Sequence, residues 1–251
     1  MRNDKIIVFD NIDSLAKYSI EYLKREINDV RKDDYFTIAL SGGATPKNLF
    51  LSISKDYKDE IDWSKIKIFW SDERCVNPED EQSNYNMAYN NLLKYVNIPE
   101  ENIFRMKGEE IPEVEAPRYS KLLLDELKII NGVPSFDLIM LGLGEDGHTA
   151  SIFPEQLELF FSDQFCVTSI HPQTKQKRIT LTGKVINNAA KVIFLVTGKN
   201  KSEKVYEIVN ENSISEKYPA SYVQPDSGKL IWLLDKESSQ LLDKSKINLF
   251  I

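Results

Sequence analysis

The chain has 251 residues and a net charge of -7, with an isoelectric point near 5.1. This length allows one large α/β domain or two small ones. The acidic balance argues against nucleic acid or a membrane surface as the main partner, because both favour a clustered basic face. No apolar run approaches the ~20 residues of a membrane span, and residues 1–10 lack a signal-peptide core, so we expect a cytoplasmic protein. The two cysteines, Cys75 and Cys166, are expected to be free thiols.

Apolar runs alternate along the chain with amphipathic stretches of helical length. In chain order, they predict a strand at 5–9, a helix at 12–30, a strand at 36–40, a helix at 46–54, a strand at 66–70, helices at 84–96 and 113–130, strands at 136–141, 165–170 and 192–197, a helix at 201–210, a strand at 230–234 and a helix at 236–242. Residues 177–182 (KRITLT) alternate polar and apolar side chains and predict a half-exposed strand with a different role. Together these elements predict an α/β fold: a single domain over residues 1–251 with an open, mostly parallel sheet, helices on both faces and a small excursion at 71–108.

The first candidate site follows the strand at 36–40 and reads SGGATPKNLF. Gly42 and Gly43 allow a tight turn, Thr45 is a good N-cap, and Pro46 suits the first helical position. Exposed amides and the positive end of a helix dipole would then form a cradle for a monophosphate. The glycine spacing of a Walker loop is missing, and an ordinary strand-to-helix turn remains an open alternative.

The second candidate site follows the strand at 66–70, whose end carries Asp72, Glu73 and Arg74, and Arg74 is the candidate binding residue. A guanidinium at this edge can hold a phosphate or a carboxylate through two parallel hydrogen bonds, although a surface ion pair with a neighbouring acid is equally open. The acidic residues 79–81 are interpreted as a solvated loop rather than a magnesium site.

The most informative segment is Gly142–Pro154 (GLGEDGHTASIFP), which follows a short apolar run typical of a buried parallel strand. Ligands bind beyond the carboxyl ends of such strands, so His148 is expected at the mouth of a pocket, where its imidazole suits proton transfer at neutral pH. Asp146 lies two residues earlier and can orient this imidazole. A histidine that serves only in a turn or as a cap is an open alternative for His148. The glycine spacing also matches a dinucleotide fingerprint, but Pro154 and the position of Asp163 before the next strand disfavour that interpretation.

The third candidate site combines Arg178, in KRITLT, with the TGKNK segment that contains Lys199 and Lys201. These cations can converge on an anion held by the first loop, or the lysines can simply be exposed at a helix terminus. A phosphate cradle, two or three cations and a histidine beside an acid, all at strand ends, together indicate a sugar-phosphate enzyme that works without a metal.

These motifs, with FWSDERCVNPEDEQSNY and the late PASYVQPDSGKLIWLLD, resemble the ordered signature of the 6-phosphogluconolactonase family. The superfamily also contains glucosamine-6-phosphate deaminase, and the resemblance implies a modified Rossmann-like α/β domain similar to that enzyme. The deaminase branch has an Asn-Glu-Pro continuation where this chain has residues 151–154 (SIFP), so its catalytic glutamate is missing here. The resemblance therefore favours the lactonase branch.

The implied reaction is hydrolysis of 6-phospho-D-glucono-1,5-lactone to 6-phospho-D-gluconate in the oxidative pentose phosphate pathway, with no cofactor and no metal. The residues carried over are the catalytic pair Asp146 and His148, the phosphate-binding residues Gly42, Gly43, Ala44, Thr45, Arg178 and Lys201, and Arg74 and Asn84 on the sugar side. The expected partner is the small sugar-phosphate lactone, and the chain is expected to be a monomer or a small homo-oligomer. A deaminase-like isomerase and a non-catalytic sugar-phosphate sensor remain as alternatives.

Two departures from the family pattern carry expectations of their own. Residues 171–177 (HPQTKQK) replace a proline-rich stretch, which puts the loop shape near the phosphate in question, and His171 is expected to be a surface residue near the pocket rim. Ser238 and Ser239 replace a pair of alanines and are expected to affect only helix packing.

Overall fold

Seven parallel strands form the central sheet of the computed structural model, which describes residues 4–29, 34–210 and 213–251. The strands are β1 (Lys5–Phe9), β2 (Phe36–Leu40), β3 (Ile66–Trp70), β4 (Asp72–Arg74), β5 (Lys128–Ile130), β6 (Val133–Ser135), β7 (Leu138–Leu141), β8 (Cys166–Ile170), β9 (Lys177–Leu181), β10 (Lys191–Val196), β11 (Lys229–Asp235) and β12 (Leu249–Phe250). The helices are α1 (Ile12–Asn28), α2 (Ala44–Ser52), α3 (Asn84–Asn91), α4 (Pro112–Glu126), α5 (Gly183–Asn187) and α6 (Ser202–Val209).

The order in the central sheet is β12-β1-β11-β10-β7-β2-β3, and every neighbouring pair is parallel. Every residue of β2 and β7 is buried, so both faces of the sheet are covered, as continuous apolar strands of a parallel sheet require. The predicted α/β class, with its mostly parallel sheet, is confirmed.

A second, antiparallel sheet has the order β4-β9-β8. It contains both KRITLT, as predicted for a strand with a different role, and the predicted strand at 165–170. The strand β4 was not predicted as a separate element, because three polar residues give no hydrophobic pattern. By pairing β4 with β9, this small sheet brings the segment that follows β3 next to the residues around Arg178.

Several predicted helix bounds are wrong. The helix predicted at 113–130 ends at Glu126, and β5 and β6 form a hairpin around Asn131 and Gly132, whose φ angles of 53° and 78° suit the tight Asn-Gly turn. The helix predicted at 84–96 ends at Asn91 and gives way to a short 3-10 turn. The helix predicted at 12–30 ends at Asn28, and Val30 lies outside the described residues.

The helix predicted at 236–242 does not form; hydrogen-bonded turns take its place. Ser239 Oγ donates to the carbonyl of Asp235 at 2.8 Å, and the amide of Ser238 donates to the carboxylate of Asp235 at 2.7 Å. Side chains that bind the local backbone in this way compete with helical hydrogen bonds, so the segment folds as a set of turns.

Both cysteines are free, as expected, with Cys166 buried and Cys75 half-buried. Within residues 4–29, 34–210 and 213–251, no helix combines the length and the apolar character that a membrane crossing needs.

Candidate functional site

A pocket of about 410 Å³ lies where the central strands β2, β7 and β10 end. These three strands are adjacent and parallel, so the loops that follow them meet at one edge of the sheet. The predicted site residues that line the pocket are Gly42, Gly43, Ala44, Thr45, Arg74, Asn84, His148, Arg178 and Lys201. The tenth, Asp146, contacts His148 from behind.

The glycine loop after β2 turns directly into α2. Gly43 is the N-cap of this helix, and its φ of 106° lies in the left-handed region that favours glycine. Thr45 was predicted as the N-cap; this is wrong, because the helix already begins at Ala44 and Thr45 Oγ1 instead shares a hydrogen bond with Thr197 Oγ1 at 2.7 Å. The residues at the start of α2 line the pocket, and the backbone amides of a helix N-terminus suit an anion cradle.

Asn84 lies directly beside this cradle because Gly42 has no side chain. A Cβ on Gly42 would stand 1.8 Å from Asn84 Oδ1, so a larger residue would expel the amide. Asn84 is buried, and its Nδ2 donates to the carbonyl of Asp72 at 2.9 Å. The pocket thus contains a side-chain amide held in a fixed orientation.

Glu73 holds the start of α3 in place from beneath the pocket. Its buried carboxylate accepts hydrogen bonds from the amides of Arg74, Asn84 and Tyr85 at 2.7 to 2.8 Å and from Ser83 Oγ at 3.0 Å. Burial raises the pKa of Glu73 above its usual value, against the lowering effect of these amides. Glu73 therefore anchors Arg74 and Asn84 rather than binding a ligand itself.

Arg74 and Arg178 stand opposite each other on the antiparallel strands β4 and β9. The Nε atoms of both are buried and, among the described residues, have no hydrogen-bond partner, while Arg74 Nη1 donates to the carbonyl of Gln82 at 2.5 Å. Burial, and then the charge of Arg74, lower the pKa of Arg178. Two adjacent cations with unused donors make a strong attraction for an anionic ligand.

Asp72 also lines the pocket and was not predicted as a site residue. It is buried, and its Oδ2 accepts a hydrogen bond from Ser151 Oγ at 2.6 Å. The alternation of side chains along a strand could have predicted this position. Residues two apart lie on the same face, so Asp72 lies on the same face of β4 as Arg74, and Glu73 lies on the opposite face. In the described ranges, no group of three or more His, Cys, Asp or Glu side chains is arranged to hold a metal ion.

His148 and Asp146 form a close pair in the turn after β7. Nδ1 of His148 lies 2.6 Å from Oδ1 of Asp146. Burial alone would raise the pKa of Asp146, but the hydrogen bond and charge of His148 outweigh it and hold that pKa below its usual range. An ionised carboxylate only accepts, so Nδ1 carries a proton, and in the neutral imidazole Nε2 then has the lone pair that can accept another. A Cβ on Gly144 would stand 2.1 Å from Nδ1, so this glycine makes room for the pair.

The second histidine, His171, contacts the same phenylalanine ring as His148. Phe153 packs against His148 with ring centroids 4.8 Å apart and against His171 at 5.1 Å. Nδ1 of His171 accepts hydrogen bonds from the amides of Gln173 and Thr174 at 3.3 and 3.2 Å. Burial, and then the charges of Arg178 and His148, lower the pKa of His171. It is half-buried beside the site, in keeping with the expected rim position.

The loop after β10 is held by residues at the end of β11. Asp235 Oδ2 accepts from the amide of Gly198 at 2.9 Å, and Ser238 Oγ donates to the carbonyl of Val196 at 2.9 Å. The expectation that Ser238 affects only helix packing is therefore wrong, because its hydroxyl supports the strand end that leads to Lys201.

The chain is similar to known proteins in both sequence and structure. A sequence profile of the family described as glucosamine-6-phosphate isomerases/6-phosphogluconolactonase matches residues 10–232. The 6-phosphogluconolactonase of Treponema pallidum (strain Nichols) is 37% identical over 227 residues, which cover 90% of this chain and 93% of that protein. The crystal structure of 6-phosphogluconolactonase from Leishmania guyanensis matches with a TM-score of 0.85 at 28% identity, over 96% of this chain and 99% of that one.

The fold extends to the other branch of the family. A monomeric glucosamine-6-phosphate deaminase matches with a TM-score of 0.77 at 21% identity, over 94% of this chain and 99% of that one. The predicted likeness to the deaminase fold is therefore confirmed, while identity this low shows the fold alone.

Proposed function

The chain belongs to the family of glucosamine-6-phosphate isomerases and 6-phosphogluconolactonases, and we propose that it hydrolyses 6-phospho-D-glucono-1,5-lactone to 6-phospho-D-gluconate. The relatives named 6-phosphogluconolactonase support this activity. The single observation that carries the proposed mechanism is the pair His148 and Asp146, joined at 2.6 Å on the wall of a pocket that also contains a helix N-terminus and two arginines with unused donors.

The phosphate is proposed to bind at the start of α2. There the amides after Gly42 and the helix dipole provide a positive end, and Arg178 on β9 and Lys201 in the segment after β10 supply positive charge. Because a phosphate at this position neutralises part of the repulsion between Arg74 and Arg178, binding is favoured by the fold's own electrostatics. The sugar then extends toward Asn84, Arg74 and His148.

The chemical step needs a base, a stabiliser of negative charge and an acid. His148 Nε2 removes a proton from a water molecule, whose oxygen forms a bond to C1 of the lactone and pushes the carbonyl electrons onto oxygen. Arg74, on the sugar side of the pocket, stabilises that oxyanion. The imidazolium then transfers its proton to the ring oxygen as the C1–O5 bond breaks, which leaves the open-chain acid and restores neutral His148.

Asp146 contributes by fixing the tautomer and stabilising the imidazolium, not by accepting the proton itself. Its lowered pKa keeps it ionised throughout the range in which an imidazole base works. No covalent nucleophile, cofactor or metal enters this scheme. The two free thiols favour a reducing, cytosolic setting for the reaction.

A deaminase-like reaction is less well supported by the residues next to His148. Where that branch carries a glutamate, this chain has Ser151, Ile152 and Phe153. Ser151 donates to Asp72, and Phe153 packs on the ring of His148, so neither supplies a carboxyl group at this position.

The test is the rate of disappearance of freshly generated 6-phosphoglucono-1,5-lactone, corrected for spontaneous hydrolysis and measured with a chelator present. Ammonia release from glucosamine 6-phosphate is followed in parallel. We expect accelerated lactone loss that survives the chelator and no ammonia. Binding of 6-phosphogluconate without acceleration would instead identify a sensor, and ammonia release would identify a deaminase.

A further inference from the structure

Glu145 connects the turn that contains His148 with the loop after β10. It lies in the turn between β7 and His148, next to Asp146, and its Oε1 accepts a hydrogen bond from Asn200 Nδ2 at 2.5 Å. The same oxygen lies 4.0 Å from Lys201 Nζ, on the loop after β10. The turn that carries the catalytic pair is thus tied to the loop that carries the cation of the proposed phosphate site.

The environments of these two charges differ. The Lys201 side chain is 21% exposed and lines the pocket, whereas the Glu145 side chain is 66% exposed and does not. Over the described residues, Glu145 is the acid that forms an ion pair with Lys201. An anion bound in the pocket beside Lys201 would therefore share this cation with Glu145.

We propose that Glu145 is a specificity-determining residue that competes with the substrate phosphate for Lys201 and Asn200 and so keeps phosphorylated product weakly bound. This inference rests on the proposed function, because it concerns the phosphate end of that same pocket. The negative carboxylate repels a phosphate dianion, accepts a hydrogen bond from the Asn200 amide and attracts the Lys201 ammonium from 4.0 Å away. These effects on binding disappear for a ligand that has no phosphate.

The substitution Glu145→Gln separates charge from shape. A glutamine keeps an oxygen that accepts from Asn200 but loses the negative charge beside Lys201. Removing one partly exposed charge near a bound anion is expected to tighten 6-phosphogluconate binding by about two- to fivefold at low ionic strength. The gain should shrink in high salt, which screens exposed charges.

The experiment measures dissociation constants for 6-phosphogluconate and for gluconate by calorimetry, with the wild-type chain, Glu145→Gln and Glu158→Gln. Glu158 is a matched control, because it is an exposed acid on the 3-10 helix at Pro154–Phe161 and does not line the pocket. We expect tighter binding of 6-phosphogluconate by Glu145→Gln alone, with unchanged gluconate binding.

The outcomes distinguish this inference from the proposed function. If the wild-type chain hydrolyses the lactone and binds 6-phosphogluconate, but Glu145→Gln binds it no more tightly than Glu158→Gln does, the competition is wrong and the function stands. If Glu145→Gln binds gluconate and 6-phosphogluconate more tightly by the same factor, the effect does not act on phosphate and the inference also fails. A wild-type chain that neither hydrolyses the lactone nor binds its product overturns both.

Discussion

At the scale of single residues, the chemistry depends on which nitrogen of His148 carries the proton. The 2.6 Å contact with Asp146 fixes that proton on Nδ1. Substituting Asp146→Asn allows an amide N–H to face Nδ1, which favours the tautomer with the proton on Nε2 and removes the base. We expect kcat to fall by roughly 100- to 10,000-fold with little change in KM.

Steady-state kinetics on the freshly generated lactone measure this effect. Asp163→Asn is the matched control, because Asp163 is a fully exposed acid paired with Lys184, outside the pocket. A wild-type kcat in Asp146→Asn would remove the pair from the mechanism.

His171 makes a prediction about pH. Its Nδ1 accepts two backbone hydrogen bonds, which require the neutral ring, and burial and then the charge of Arg178 hold its pKa below the ordinary value of ~6.5. The unfolded chain therefore binds this proton more readily than the folded chain. The stability that neutral His171 contributes is complete above the unfolded pKa and is lost as the pH falls from there through the lowered folded pKa.

NMR titration of the imidazole signals measures that shift directly, since the chain has only two histidines and His171→Asn identifies the signal of each. We expect the His171 midpoint to lie below that of an unfolded peptide and to rise when 6-phosphogluconate offsets the charge of Arg178. A midpoint that stays fixed on ligand binding would separate His171 from the site.

At the scale of elements, the pairing of β4 with β9 sets two arginines side by side, and we predict that this arrangement favours binding at the expense of stability. In Arg178→Met the repulsion with Arg74 and the cost of burying an unpartnered Nε both disappear. We expect KM for the lactone to rise at least tenfold, while the free energy of unfolding of the ligand-free protein stays level or increases by about 1 kcal/mol.

Urea denaturation and initial-rate kinetics test the two halves of this prediction. Lys177→Met is the control on the same strand, because Lys177 is half-exposed and pairs with Glu113 outside the pocket. A large loss of stability in Arg178→Met would show that Arg178 is a structural residue.

The same elements show why part of the fold could be predicted from the sequence. The strands β2, β7 and β10 are apolar apart from Thr37 and Lys191, so their composition predicts burial on both faces of the sheet. In contrast, β4 is three polar residues whose strand conformation depends on a partner about a hundred positions away, at β9. The turns at 236–241 likewise depend on Ser238 contacting Val196, 42 residues earlier in the chain.

The site divides in the same way. Glycine loops and His148 have local signals, because tight turns and strand ends restrict which residues fit. Asp72 receives its hydrogen bond from Ser151, 79 residues away, and Glu145 meets Asn200 across 55 residues. Contacts of that kind form only when the parallel strands are aligned, so the spacing of these residues along the chain does not predict them.

At the scale of the whole molecule, the pocket has a charge opposite to that of the chain. The net charge is -7, yet in the part of the chain that the structure describes the pocket wall carries three cations, Arg74, Arg178 and Lys201, against one carboxylate, that of Asp72. Local fields of this kind attract small anions, although the chain as a whole is acidic. The segments that form the pocket extend from residue 41 to residue 201.

A ligand that contacts segments so far apart should stabilise the entire chain as one unit, as the prediction of a single domain requires. Scanning calorimetry should show one transition, and 6-phosphogluconate at 100 times its dissociation constant should add about 2.7 kcal/mol to the free energy of unfolding. Gluconate at the same concentration is the control and should move the transition much less, because it lacks the phosphate. Two transitions, with only one of them raised by 6-phosphogluconate, would contradict a single domain, because the part of the chain that melts separately would then contribute nothing to the pocket.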